Sequence, residues 1–168
     1  MRRFLGAAEA LTQLYLDLVE PVMGYPRHRE SIASLLGPPT CSEECLLIGE
    51  LESRIRDRVV CVAGPAGSPG FEGCDVIGAP EGGLPALIEA GLKPLYVVGD
   101  LDVDLKILDL MIEAAEILLI HIHGDNVERV SAYSRRLRGS KVIYTSQVQT
   151  SNCVLPIGGF TDGDRALI

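Results

Sequence analysis

The feature that most constrains this chain is a rhythm running from residue 59 to residue 168. Short apolar runs are each followed at once by a polar, glycine-rich cluster, and most clusters by a helix-like stretch. VVCVA leads into GPAGSPG, and DVIGA into PEGG and LPALIEAG. LYVV leads into GDLDVD and LKILDLMIEAAE, and ILLIHI into HGDN and VERVSAYSRRL. KVIYT precedes SQVQTSN, and CVLPI precedes GGFTDGDRA. β-Branched runs alternating with helical periodicity specify βαβ units and a largely parallel sheet. The expected fold is α/β: a Rossmann-like open, mostly parallel sheet flanked by helices over residues 59–168.

Residues 1–58 read as an N-terminal helical segment packed on that core. Phe4, Ala8, Leu11, Tyr15 and Leu18 recur at helical spacing, which predicts a helix over residues 4–19. PVMGYPRHRE reads as a turn and SIASLLG as a short helix closed by Gly37. CSEECLLIGELESRIRDR reads as a further helix, capped by Ser42, with Leu47, Leu51 and Ile55 as its apolar stripe.

In an open parallel sheet every strand ends on the same rim, and ligands bind there. The six polar clusters are therefore expected to converge although they span about a hundred residues. A net charge of -8 argues against a nucleic-acid partner held by bulk electrostatics. It leaves room for a phosphate ligand, because Mg²⁺ joins carboxylates to phosphates. Five cysteines make an odd count with no CxxC pair; Cys41 and Cys45 lack a second ligand pair for zinc. Reduced thiols in a cytoplasmic protein are expected rather than a disulfide scaffold. Glu9, Thr12, Gln13 and Asp17 interrupt the early apolar residues, and no 18-residue apolar stretch exists, so no membrane association is expected.

Each cluster has a plain reading beside a functional one. In GDLDVD, Asp100 and Asp102 alternate onto one side and suit a hard cation, while Asp104 suits a helix cap. In HIHGDN, His121 and His123 share a face, but a transition-metal site lacks a further soft ligand. Asp125 and Asn126 are the better candidates there, for metal-bound water or phosphate, and Asn126 also stands at a helix N-cap. GPAGSPG lacks the Walker lysine and fits either a plain turn or an anion nest. GGFTDGDRA offers a hydroxyl at Thr161, carboxylates at Asp162 and Asp164, and a phosphate fork at Arg165. Capping and a salt bridge would explain only part of it.

Together LKPLYVVGDLDVD, HIHGDN and GGFTDGDRA resemble the archaeal 6-hydroxymethyl-7,8-dihydropterin diphosphokinases, a family similar in fold to the catalytic domain of thiamin pyrophosphokinase. GYPRHRESIASLLG and VVCVAGPAG extend the resemblance through most of the chain. It implies transfer of diphosphate from ATP to the pterin hydroxymethyl group, releasing AMP, with Mg²⁺ as cofactor. It implies that Asp100, Asp102 and Asp125 hold metal, and that these three with Arg165 are catalytic. Gly64, Gly67, Ser68, Asn126, Thr161, Asp162 and Asp164 would bind the nucleotide; His123, Gln147 and Thr150 would bind the pterin.

Three departures qualify the carry-over, one being Pro69 in GPAGSPG, which removes an amide donor from the glycine loop. APEGG stands where relatives carry an acidic residue in an A-D-G-like motif, so Glu81 would substitute at longer reach. Related chains continue beyond TDGDRA with a helix and strands, so C-terminal elements are expected to be missing or supplied by a partner. A homodimer is expected on that ground. The alternatives are a thiamin pyrophosphokinase-like enzyme, against which HGDN and TDGDRA argue, and a non-catalytic nucleotide-binding module.

Overall fold

The computed structural model describes residues 10, 13, 17, 18, 20–22, 41–65, 70–147, 154–159 and 161–167. Six strands form one open sheet in which every neighbouring pair is parallel: β1 (Val60–Val62), β2 (Val76–Pro80), β3 (Tyr96–Gly99), β4 (Ile117–Ile122), β5 (Val142–Ser146) and β6 (Leu155–Pro156). The expected parallel α/β sheet is therefore present. Its strands lie in chain order, β1 through β6, with no reversal among them.

That order decides where the helices go. Crossovers of one hand between successive parallel strands place their helices on one face. Helices α2 (Leu84–Glu89), α3 (Leu105–Ala114) and α4 (Val127–Tyr133) follow β2, β3 and β4. Their Leu84, Leu87, Leu108, Met111 and Val130 pack into one core with Val97, Leu118, Ile120 and Ile122. The opposite face takes α1 (Cys41–Ile55) and α5 (Asp162–Leu167), whose Leu51 and Ala166 pack with Val76, Tyr96, Val98, Ile117, Leu119 and Ile143. Alternation along β4 gives the reason: residues 118, 120 and 122 enter the first core, while 117 and 119 enter the second.

α5 follows the edge strand β6 yet packs against β1, β2 and β3. Its anchor is Tyr96, whose buried hydroxyl donates to the Ala166 carbonyl at 2.7 Å. A Cβ at Gly78 would stand 2.2 Å from the Tyr96 ring, so glycine is required beneath it. The return of α5 across the sheet carries its acidic first turn to the ends of β2 and β3, and it creates the site described below.

Some expectations need correction. α1 spans Cys41–Ile55, which places Ser42 within a helix expected to start after it; the Leu47, Leu51 and Ile55 stripe faces the second core as expected. Of the helix expected over residues 4–19, the described residues 10, 13, 17 and 18 are helical, and so are Pro21 and Val22, where the sequence predicts a turn. The short helix at residues 31–37 lies outside the described residues. TDGDRA, expected as a polar cluster on the rim, forms most of α5. Cys61 and Cys74 are joined by a disulfide, against the expectation of reduced thiols. Parallel pairing sets Cys61 opposite Ile77, so the turn before β2 brings Cys74 alongside. No helix among the described residues is long and apolar enough to cross a membrane.

Candidate active site

At the carboxyl ends of β2 and β3 the chain packs acids against each other. One carboxylate oxygen from each of Glu81, Asp100 and Asp162 lies within 4.8 Å of the others. Glu81 opens the turn after β2, Asp100 follows β3, and Asp162 opens α5, so three separate elements supply them. Gly99 makes room: a Cβ there would stand 2.1 Å from Glu81 Oε2. Gly83 does the same on the other side of that turn, where a Cβ would meet the Ala63 carbonyl oxygen at 2.2 Å. Between Asp100 and Asp102, buried Leu101 has a φ of 64°, left-handed backbone that costs a non-glycine residue energy and recurs at functional sites.

Crowding shows in protonation. Burial first, then the negative charges of Asp162 and Asp100, push the Glu81 carboxyl up to about 8. Its Oε2 is buried and has no hydrogen-bond partner. Asp162 is also raised, by burial and by Asp100. Asp100 moves the other way, below the usual carboxylate range, chiefly through its hydrogen bond with His123. Arg165 supplies the balancing charge. Its side chain is 6% exposed, donates to Asp162 Oδ1 at 2.7 Å and approaches Asp100 Oδ2 at 3.8 Å.

HIHGDN serves mainly to hold this group. Asn126 is buried and donates from Nδ2 to the carbonyls of Asp100 and His121 at 2.8 and 2.7 Å; its Oδ1 accepts from the His123 amide at 2.9 Å. The side chain is thus used within the protein, and it makes no cap hydrogen bond to α4. His123 Nδ1 accepts from the Asp125 amide at 3.3 Å, which leaves Nε2–H to donate to Asp100 Oδ2, also at 3.3 Å. His121 is fully buried, pairs through Nδ1 with Thr145 Oγ1 at 2.9 Å, and is held neutral by burial and by Arg165.

The metal residues inferred from sequence divide here. Asp100 stands in the acidic group, joined by Glu81 and Asp162 rather than by Asp102 and Asp125. Asp102 is exposed; its amide donates to Asp100 Oδ1 at 3.1 Å and its carboxylate pairs with Arg129. Asp125 is exposed on the turn before α4. Asp104 caps α3, accepting from the amides of Lys106 and Ile107 at 2.9 and 3.0 Å. Thr161 and Asp164, expected to bind nucleotide, form a reciprocal capping box: Thr161 N–H donates to Asp164 Oδ2 at 3.1 Å, and Asp164 N–H to Thr161 Oγ1 at 3.2 Å. Gln147 Nε2 donates to the Gly159 carbonyl at 2.8 Å, while its buried Oε1 has no partner. Gly64 lies exposed just beyond β1; Gly67, Ser68 and Thr150 lie outside the described residues.

In the sequence Glu81 stands out only as a departure from a motif, and Arg129 not at all. For Glu81 the available signal was a lone acid directly after an apolar strand and before two glycines, the same grammar that marked GDLD.

No protein-family model matches the chain. It is similar to three curated proteins, each named 6-hydroxymethyl-7,8-dihydropterin pyrophosphokinase. Identity is 36% over 88 residues with the Methanocaldococcus jannaschii protein, covering 51% of this chain and 36% of that one. With the Methanothermobacter thermautotrophicus protein it is 28% over 147 residues, covering 84% and 62%. With the Pyrococcus furiosus protein it is 39% over 90 residues, covering 52% and 36%. These relatives bear out the family resemblance, and the chain spans between about a third and three fifths of their length.

Proposed function

We propose that this chain carries the site at which a pterin diphosphokinase moves diphosphate from ATP to the hydroxymethyl group of 6-hydroxymethyl-7,8-dihydropterin, releasing AMP. The observation that supports it is the Glu81–Asp100–Asp162 group with Arg165 seated among it. Three buried or half-buried acids brought together from separate elements suit a divalent cation that phosphate also binds. The relatives' names supply the reaction class.

The donor set fits Mg²⁺: hard oxygens from three elements, one of them without any hydrogen-bond partner. When bound there, Mg²⁺ would neutralise phosphate charge and fix the geometry of the triphosphate. The chain's own residues do the rest. His123 and Asn126 hold Asp100, by side chain and by backbone respectively. Arg165 sits beside the carboxylates and adds positive potential where the leaving AMP gathers negative charge. The acceptor oxygen forms the new bond to the β-phosphorus as the bond to the α-phosphate oxygen breaks; the hydroxyl proton leaves to water. Asp102 and Asp125, exposed at the mouth, are proposed to meet the hydrated parts of the ligand. Placement in tetrahydromethanopterin- or folate-type pterin biosynthesis follows from the same reading.

Incubation with ATP, Mg²⁺ and the reduced pterin tests this. AMP formed only when pterin is present supports it. AMP formed only with thiamin would move the acceptor, and nucleotide binding without turnover would leave a binding module.

A further inference from the structure

We infer that Arg129 is a phosphate clamp for the nucleoside triphosphate, parked on Asp102 until the nucleotide arrives. This rests on the diphosphate-transfer reading and deepens it.

Three observations carry it. First, Arg129 stands on α4 at the rim, and its Nη1 lies 2.6 Å from Asp102 Oδ1. Asp102 is tied through its own amide to the Asp100 carboxylate at 3.1 Å, and its charge is felt at Glu81. The guanidinium is thus one carboxylate removed from the acidic group. Second, the two arginines at this rim are not equivalent. Arg165 is buried and committed to Asp162 and Asp100, whereas Arg129 and Asp102 have side chains 40% and 74% exposed. Third, an exposed ion pair of that kind contributes little and is readily exchanged. A guanidinium facing phosphate gains two parallel charge-assisted hydrogen bonds, so a polyphosphate out-competes one solvated carboxylate.

A triphosphate seated at the acidic group would extend towards the mouth of the site, where Arg129 could turn from Asp102 to the phosphate oxygens. Arg129 therefore reads the length of the phosphate chain rather than the base or the pterin. Asp102 keeps the guanidinium beside the site when no nucleotide is bound.

The test uses calorimetric titration of the full chain with Mg²⁺ and either α,β-methylene-ATP, which resists cleavage at the reacting position, or AMP. Arg129→Gln is expected to weaken the triphosphate analogue roughly tenfold or more while changing AMP affinity less than about twofold, with Arg129→Lys recovering part of the loss. Equal losses for both nucleotides, or no loss for the analogue, would overturn the clamp. Failure of the unaltered chain to bind the analogue would overturn both this and the diphosphate-transfer reading. Analogue binding with the expected arginine dependence, but no pterin-dependent AMP, would sink only the acceptor assignment.

Discussion

The two ends of the sheet make opposite use of charge. At the amino ends of β4 and β5 lies a hollow of about 500 Å³ lined by residues such as Leu118, Glu116, Arg138 and Lys141. Around it, acids and bases are matched in water: Arg54 pairs with Glu116 at 2.9 Å and Lys141 with Glu50 at 2.6 Å, all with substantially exposed side chains. At the carboxyl ends charges are pressed together and buried. Every buried side-chain atom without a hydrogen-bond partner among the described residues belongs to that end: Glu81 Oε2, His121 Nε2, Gln147 Oε1 and Arg165 Nε. Size of hollow and readiness for chemistry are therefore separate properties. Solvated pairs of opposite charge leave no buried polar atom unmatched, whereas buried groups of like charge push one another's protonation upward.

The largest difference between the ends is expected in activity. Glu81→Gln should lower pterin-dependent AMP formation by at least about 100-fold, since it removes an anionic oxygen from the proposed cation group. The same carboxyl also ties the parent's stability to pH. The unfolded carboxyl titrates near 4.5 and the folded one near 8, so the folded state keeps a proton that the unfolded state has lost between those values. Stability from Glu81 is then fully present below about 4.5 and disappears as pH rises through 8. The metal-free parent should melt at progressively lower temperature across that window, and the Gln variant should flatten the profile. A parent whose melting temperature is flat there contradicts the crowded, protonated group.

A smaller effect separates scaffold from chemistry within the same end. Asn126→Ala should destabilise the fold by about 3 kcal/mol, because it leaves two carbonyls and one amide without their partner in a buried place. Asp125→Asn, one residue away and exposed, should leave the melting temperature nearly unchanged while lowering pterin-dependent AMP formation by less than Glu81→Gln does. Equal thermal losses for both would mean that the turn works as a single structural unit.

The smallest effect belongs to the amino end. Arg138→Ala should leave AMP formation within about twofold of the parent, as expected for a surface substitution away from the site. A larger fall would make the hollow a functional partner of the rim and erase the distinction between the two ends.

Local pattern reached far into this molecule. Alternating apolar runs marked all six strands, with ILLIHI matching β4 from end to end, because a strand covered on both faces must be apolar on both. Asp104 was legible as a cap because capping is settled within three residues. The clustering of polar residues at strand ends likewise marked the rim. Local pattern failed where one segment's role depends on another. In TDGDRA capping and a salt bridge were readable as partial explanations, but not which residues take them: Thr161 and Asp164 close on each other as the cap, leaving Asp162 and Arg165 to face the rim. Asn126 looked like a ligand and is instead fastened to two carbonyls, one of them 26 residues back.

The sequence alone determined that the chain forms parallel strands whose polar residues collect on one rim, because hydrophobic period and turn chemistry act over a few residues. Tertiary structure alone decided which acids meet. Strands lying in unbroken order put the crossover helices on one face, and α5 returned over β1–β3 on the other, anchored by Tyr96 and admitted by Gly78. That return, a packing event between residues some eighty positions apart, placed Asp162 beside Glu81 and Asp100. Electrostatic crowding is a property of distances in space, and no reading along the chain contains them.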